Sequence, residues 1–288
     1  MSDDGQSGLV VIAFVGSVFS PYYARALRKG AADPEEHCAI NVALYGKGGH
    51  HWAMTERSKR YLKRDETHFG LGPSSLGWDG TTLTITIQER TTPFLTRMAG
   101  TIRFIPDRLL NQRFDLDAAG RHQWHPVAPS GRISVQMDHP AQSWTGHGYL
   151  DSNVGTRPIT EDFTAWDWSR AQTSAGPVMF YDVMRRDGTA LNLALGQGRD
   201  GALVSRSAPP PHLLKRTLWR VPRYARSDPS QRPKVALTLE DTPFYTRSLV
   251  VSQIDGEEVA MMHESLSLDR LRQRWVETLL PFRMPRLK

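Results

Sequence analysis

The chain has 288 residues, enough for one large domain or two ordinary ones with a substantial buried core. Hydrophobic (39%) and charged (23%) fractions exclude a disordered tail and a membrane bundle, and a single cysteine, Cys38, excludes a disulfide framework or a multi-cysteine metal site. The formal charge of +6 argues for nucleic acid only until it is located: Arg270, Arg272, Arg274, Arg283, Arg286 and Lys288, against Glu277 alone, put +5 of it in the last nineteen residues.

The N-terminus reads Met-Ser-Asp-Asp, acidic where a secretory signal is basic, and the apolar run Leu9 to Val15 is too short to span a bilayer. These features predict a cytosolic or cytosol-facing soluble protein. Period-two alternation then dominates, as in TLTITIQER at 82–90, with comparable runs at 9–15, 39–45, 101–105, 132–137, 177–184, 189–195, 234–240 and 249–254. Trp78-Asp79-Gly80, Asp187-Gly188 and Asp255-Gly256 predict hairpin connections. Helical spacing is confined to a short segment near 21–29 and a tail from 267 to about 280, where Leu268, Leu271, Trp275 and Leu279 share a face. Asn153, Gly155, Thr156, Arg157 and Pro158 interrupt two β-rich halves, so the chain is divided into 1–155 and 156–288. The hexamers TPFLTR (92–97) and TPFYTR (242–247), one in each half, hint at duplication. The segments 199–212 and 226–233 read as surface loops. The expected class is all-β, two antiparallel domains in tandem with few short helices.

Much familiar chemistry has no local support. Neither the dinucleotide fingerprint nor a Walker A loop occurs, and Ser74 and Ser75 in GPSSLG miss the nucleophile-elbow register. His122 and His125 are three apart and His50 and His51 adjacent, so on a strand neither pair presents both rings to one metal ion. Reactive and aromatic residues concentrate instead in RHQWHP (121–126) and WTGHGYLDSN (144–153). In extended conformation His122 and Trp124 share a face, as do His147, Tyr149 and Asp151. Two readings stay open at this level: a pocket where an acid meets imidazoles and rings, or ordinary core packing with Asp151 as a turn former. In FTAWDWSRA, Asp167 reads as the outward residue between inward Trp166 and Trp168.

AFVGSVFSPYYARA (13–26), NVALYG (41–46), WAMTERS (52–58), QWHPVAP (123–129), GHGYLDSNVG (146–155) and FTAWDWSRA (163–171) together resemble the acyclic carotenoid 1,2-hydratases, the hydroxyneurosporene synthase family of carotenoid-synthesising bacteria. The similarity runs from about residue 10 to the closing LLPFRMPR. It implies two tandem lipocalin-like β domains, the second carrying the C-terminal helix. It also implies cofactor-independent addition of water to the terminal double bond of neurosporene, lycopene and related carotenes. The family's catalytic His, Trp, Tyr and Asp map onto His122, Trp124, Tyr149 and Asp151.

Elementary chemistry assigns roles within that set. Hydrating an unactivated trisubstituted alkene requires protonation at C2, giving a tertiary cation that water captures at C1. A carboxylic acid desolvated among apolar side chains is a suitable donor, which selects Asp151, while Trp124 and Tyr149 offer π-faces to the cation. His122 is left with three roles open: holding the water, accepting its proton, or orienting Asp151. A non-catalytic carotenoid or lipid carrier and a lipocalin-like isomerase or pericyclase are the competing functions. Nucleic-acid binding is excluded by the near-neutral body. The basic tail, with Trp275, Leu279, Leu280, Phe282 and Met284, suits the surface of an anionic membrane, or equally a helix docked on its own domain.

Overall fold

Alternating apolar and polar residues between tight Asp-Gly turns leave the chain little choice but antiparallel pairing. The computed structural model, which describes residues 1–30, 32–46 and 48–287, is built that way. The all-β, lipocalin-like class is the one found, with few helices and open sheets. All three Asp-Gly turns join successive strands: Ser74–Trp78 to Leu83–Arg90, Gly176–Arg185 to Ala190–Gln197, and Tyr245–Ile254 to Glu257–Ser267. At the first, the Asp79 carboxylate accepts from the backbone N–H groups of Thr81 (2.9 Å) and Thr82 (2.7 Å), fixing the turn from within. TPFLTR and TPFYTR each lead the chain into a strand, Arg97–Pro106 and Tyr245–Ile254.

The chain forms two compact units. Unit 1 comprises Met1–Leu109, Ala128–Leu150 and Glu277–Lys288, and unit 2 comprises Leu110–Val127 and Asp151–Val276. These are not the linear segments 1–155 and 156–288. The strands His122–His139 and Ala141–Gly155 are each long enough to begin in one unit and end in the other. The C-terminal residues Arg286–Leu287 return to unit 1, adding a parallel strand beside His51–Arg57.

In unit 1, Ser7–Phe14, Cys38–Gly46 and His51–Arg57 form one antiparallel sheet. A meander from Leu62 through Pro106 continues into the long hairpin. The alternate residues Cys38, Ile40, Val42 and Leu44 are fully buried against Ile87, Met98, Ile102 and Val135. Burial pushes the Cys38 thiol up to about 11, so it is an unreactive core residue.

Unit 2 holds a seven-stranded antiparallel sheet ordered Leu203–Ser205, Ala190–Gln197, Gly176–Arg185, Phe163–Thr173, Glu257–Ser267, Tyr245–Ile254 and Lys234–Asp241. Its core face carries Ala171, Phe180, Val178, Val250 and Met261. A two-stranded ribbon, Pro211–Leu213 with Tyr224–Arg226, interrupts the segment read as loops. The C-terminal tail is helical in two pieces, Leu268–Leu271 and Arg274–Arg283.

Candidate active site

Within unit 2 the start of the strand His122–His139 alternates cleanly: His122, Trp124 and Pro126 are buried, Gln123 and His125 less so. The outward pair is used structurally, Gln123 donating to Asp115 (2.8 Å) and the His125 ring bonding the Leu110 carbonyl (2.7 Å). The inward pair builds the site. Trp124 is completely buried, and its indole Nε1 donates to Oδ2 of Asp151 at 2.9 Å. This bond joins the two motifs singled out in the sequence.

Around it lie rings from other strands. The Trp124 ring meets Tyr181 edge-on at 5.3 Å and Phe114 at 5.7 Å, and Trp166 meets Tyr181 at 6.1 Å. Tyr181 is 4% exposed; burial, then the charges of Asp151 and Glu264, push its phenol up, so it remains neutral. A carboxyl group held by the indole N–H of a fully buried tryptophan, itself packed on further rings, can hold a proton beside an apolar substrate with π-density close by.

His122 sits beside Trp124 on the strand, but its ring is committed elsewhere. Nε2 bonds Oδ2 of Asp162 at 2.7 Å, and Asp162 also pairs with Arg121 (2.9 Å) and Arg157 (3.1 Å). The His122 backbone N–H donates to Asp117 at 2.8 Å. Burial alone raises the Asp117 carboxyl, but the N–H groups of His122 and Ala119 outweigh it and hold the group below the usual range. Gly155 is required here, since a Cβ would stand 2.7 Å from the His122 ring.

Tyr149 lies two residues before Asp151 on the strand Ala141–Gly155 and is grouped with unit 1. The structure thus joins Trp124 to Asp151 directly and bonds His122 to Asp162. His147 is more than half exposed, near Asp3 and Arg132. Among the described residues no cluster of histidine, cysteine and carboxylate could hold a metal ion.

Sequence reasoning missed Tyr181 and Asp162. Tyr181 alternates with apolar residues in GPVMFYDVMR and is indistinguishable there from core, whereas Asp162 reads as a helix-start acid. Trp166 and Trp168 do share the site-bearing face, opposite Val183 and Tyr181. Asp167 points the other way as expected, but that face is also covered. Its carboxyl accepts from Ser265 Oγ and from the Tyr224 backbone N–H (3.1 Å), and burial pushes it up to about 7.

Comparison with known proteins places this chain in a family. The model of the carotenoid hydratase family, CrtC, matches residues 11–288. The acyclic carotenoid 1,2-hydratase of Thiocapsa roseopersicina is 50% identical over 289 residues, covering 100% of this chain and 71% of that one. The chain belongs to the carotenoid hydratase family. The Rubrivivax gelatinosus acyclic carotenoid 1,2-hydratase is 47% identical, covering 99% of this chain and 71% of that one. Like other carotenoid hydratases the chain is an enzyme, a hydro-lyase. Among solved structures, the crystal structure of CghA with Sch210972 superposes with a TM-score of 0.50 at 15% identity, covering 93% of this chain and 86% of that one. That likeness concerns the fold alone.

Proposed function

We propose that this carotenoid hydratase adds water to the terminal C1=C2 bond of acyclic carotenes such as neurosporene and lycopene, without a cofactor, to give 1-hydroxy carotenoids. The observation that carries the reading is the hydrogen bond to Asp151 from Trp124, whose ring packs on Tyr181 and Phe114. Protonated Asp151 delivers its proton to C2 and the π pair follows it, leaving a tertiary cation at C1. The faces of Trp124, Tyr181 and Trp166 stabilise that cation by about 0.5–2 kcal/mol each when desolvated. The indole N–H strengthens its bond to Asp151 as the carboxylate forms, so it acts most in the transition state. Water then closes the C1–O bond and a proton returns to solvent. His122, tied to Asp162, holds Trp124 in place.

The substrate resides in a bilayer, and the enzyme meets it there as a peripheral protein on the cytoplasmic face. Among the described residues no helix is long and apolar enough to cross a membrane. The helix Arg274–Arg283 instead exposes Trp275, Leu279 and Phe282 (46%, 44% and 76%) at helical spacing, with Arg272 and Arg274 also exposed. The rest of the tail is docked: Val276 and Met284 are buried, and Arg286 donates to Glu56.

The test is incubation of purified enzyme with lycopene or neurosporene in lipid vesicles, followed by mass analysis. A gain of one water supports hydration. Bound but unchanged carotene would make the protein a carrier, and an isomer of equal mass would make it an isomerase.

A further inference from the structure

Adding water across a double bond needs a proton donor at one carbon and a held water at the other. Asp151 is the donor under the reading above, and the assignment of the second group rests on that role. On the seven-stranded sheet of unit 2, one row runs straight across four strands: Tyr181 opposite Trp168, Trp168 opposite Glu264, and Glu264 opposite Arg247. Directly opposed residues project from the same face, and each strand adds about 4.8 Å. The row therefore begins at the ring that packs on Trp124 and reaches a second carboxylate about two strands, or roughly 10 Å, away.

That carboxylate is held in a particular way. Arg247, whose side chain is 2% exposed, donates from Nε to Oε1 of Glu264 at 2.8 Å and from Nη1 to Oε1 of Glu240 at 3.1 Å. The one guanidinium is thus shared between two carboxyl groups. Glu264 is the more accessible of the two carboxylates, at 23% against 8% for Glu240. A carboxylate anchored through one oxygen by a buried guanidinium can accept from water at its other oxygen. The charges of both Asp151 and Glu264 act on the Tyr181 phenol and raise it, after burial.

We infer that Glu264, pinned by Arg247, holds the water that captures the C1 cation. The proton of Asp151 forms the C2–H bond, and a lone pair of the held water forms the C1–O bond. The oxonium proton passes to Glu264 and on to solvent, and solvent reprotonates Asp151. One water is consumed and both acids return to their starting states.

Deuterium oxide separates the two steps. A cation that is not captured loses a proton back to the Asp151 carboxylate and is recovered as carotene carrying deuterium. Glu264→Gln is expected to lower kcat for lycopene in phospholipid vesicles about 100-fold at unchanged KM, while deuterium accumulates in recovered lycopene. Glu264→Asp should restore part of the hydration. Asp151→Asn should lose both hydration and exchange. Wild-type hydration by Glu264→Gln would overturn the water-holding role. So would joint loss of hydration and exchange in folded Glu264→Gln, or in Glu264→Asp should the Gln variant not fold. Full hydration by Asp151→Asn would overturn the underlying reading of the site instead.

Discussion

The indole of Trp124 and the carboxyl of Asp151, 27 positions apart in sequence, share a 2.9 Å hydrogen bond, and Trp124 itself has no exposed surface. Asp151→Asn keeps the shape and a hydrogen-bond acceptor but cannot deliver a proton. Activity should fall by about 100- to 10,000-fold, while circular dichroism and the melting temperature stay close to wild type. A folded Asn variant with wild-type turnover would exclude Asp151 as the acid.

Trp124 serves as both donor and ring, and two substitutions separate these. Trp124→Phe removes the N–H but keeps a π-face, losing a bond to a charged group worth about 1.5–3 kcal/mol, or roughly 10- to 100-fold in rate. Trp124→Ala removes both and opens a cavity costing about 3–5 kcal/mol of stability. Steady-state rates on soluble, folded protein should rank wild type above Phe above Ala. Equal losses in Phe and Ala would mean the ring contributes nothing.

His122 and Asp162 form a buried pair at 2.7 Å, with side chains 3% and 9% exposed. Asp162→Asn removes the carboxylate shared by His122, Arg121 and Arg157, and losing a hydrogen bond to a charged group costs about 1.5–3 kcal/mol. Denaturant unfolding should register that loss directly. Activity should fall together with stability, because His122 acts through the strand that carries Trp124. A stable Asp162→Asn enzyme with a changed pH profile would instead give His122 a direct part in proton transfer.

Beneath the sheet, burial holds His263 neutral, its pKa lowered to about 3, and pushes Asp167 up to about 7. The signs oppose. As pH falls from about 6.5 toward 4, the unfolded state binds a proton at His263 that the native state refuses, and stability is lost. Over much of the same range the native state binds a proton at Asp167 that the unfolded state does not, and stability is gained. Asp167→Asn removes only the gain. Urea unfolding should therefore show steeper acid destabilisation in Asp167→Asn, by up to about 1.4 kcal/mol per pH unit. Parallel pH curves would refute the linkage.

For the membrane surface, deleting the last residues is the wrong probe, since Arg286–Leu287 is a strand of unit 1. Leu279→Ser with Phe282→Ser alters exposed positions only. This double variant should bind anionic vesicles more weakly in sedimentation while melting as wild type does. Unchanged, salt-insensitive binding would remove the helix from the membrane contact.

The strands at 82–90 and 249–254 were legible because one face of each is the more buried and Asp-Gly turns mark their ends. His122, Trp124 and Asp151 were legible as a cluster for the same reason, since alternation fixes which side chains share a face. The division of the chain was not. Proline at 126 and 129 and glycine at 131 masked the length of the strand His122–His139, and with it the passage of the hairpin through both units. Asp162 and Glu264 were invisible because their partners, His122 and Arg247, are set by tertiary pairing that no local spacing encodes.

The proposed reaction is defined by its regiochemistry, with C2 protonated by Asp151 and C1 taking the water. It is tested most directly by turnover of lycopene in deuterium oxide enriched in oxygen-18, with the product located by mass fragmentation and nuclear magnetic resonance. One carbon-bound deuterium at C2 and oxygen-18 at C1 is the expected pattern, absent in Asp151→Asn. Oxygen at C2, or a labelled product formed equally well by Asp151→Asn, would contradict it.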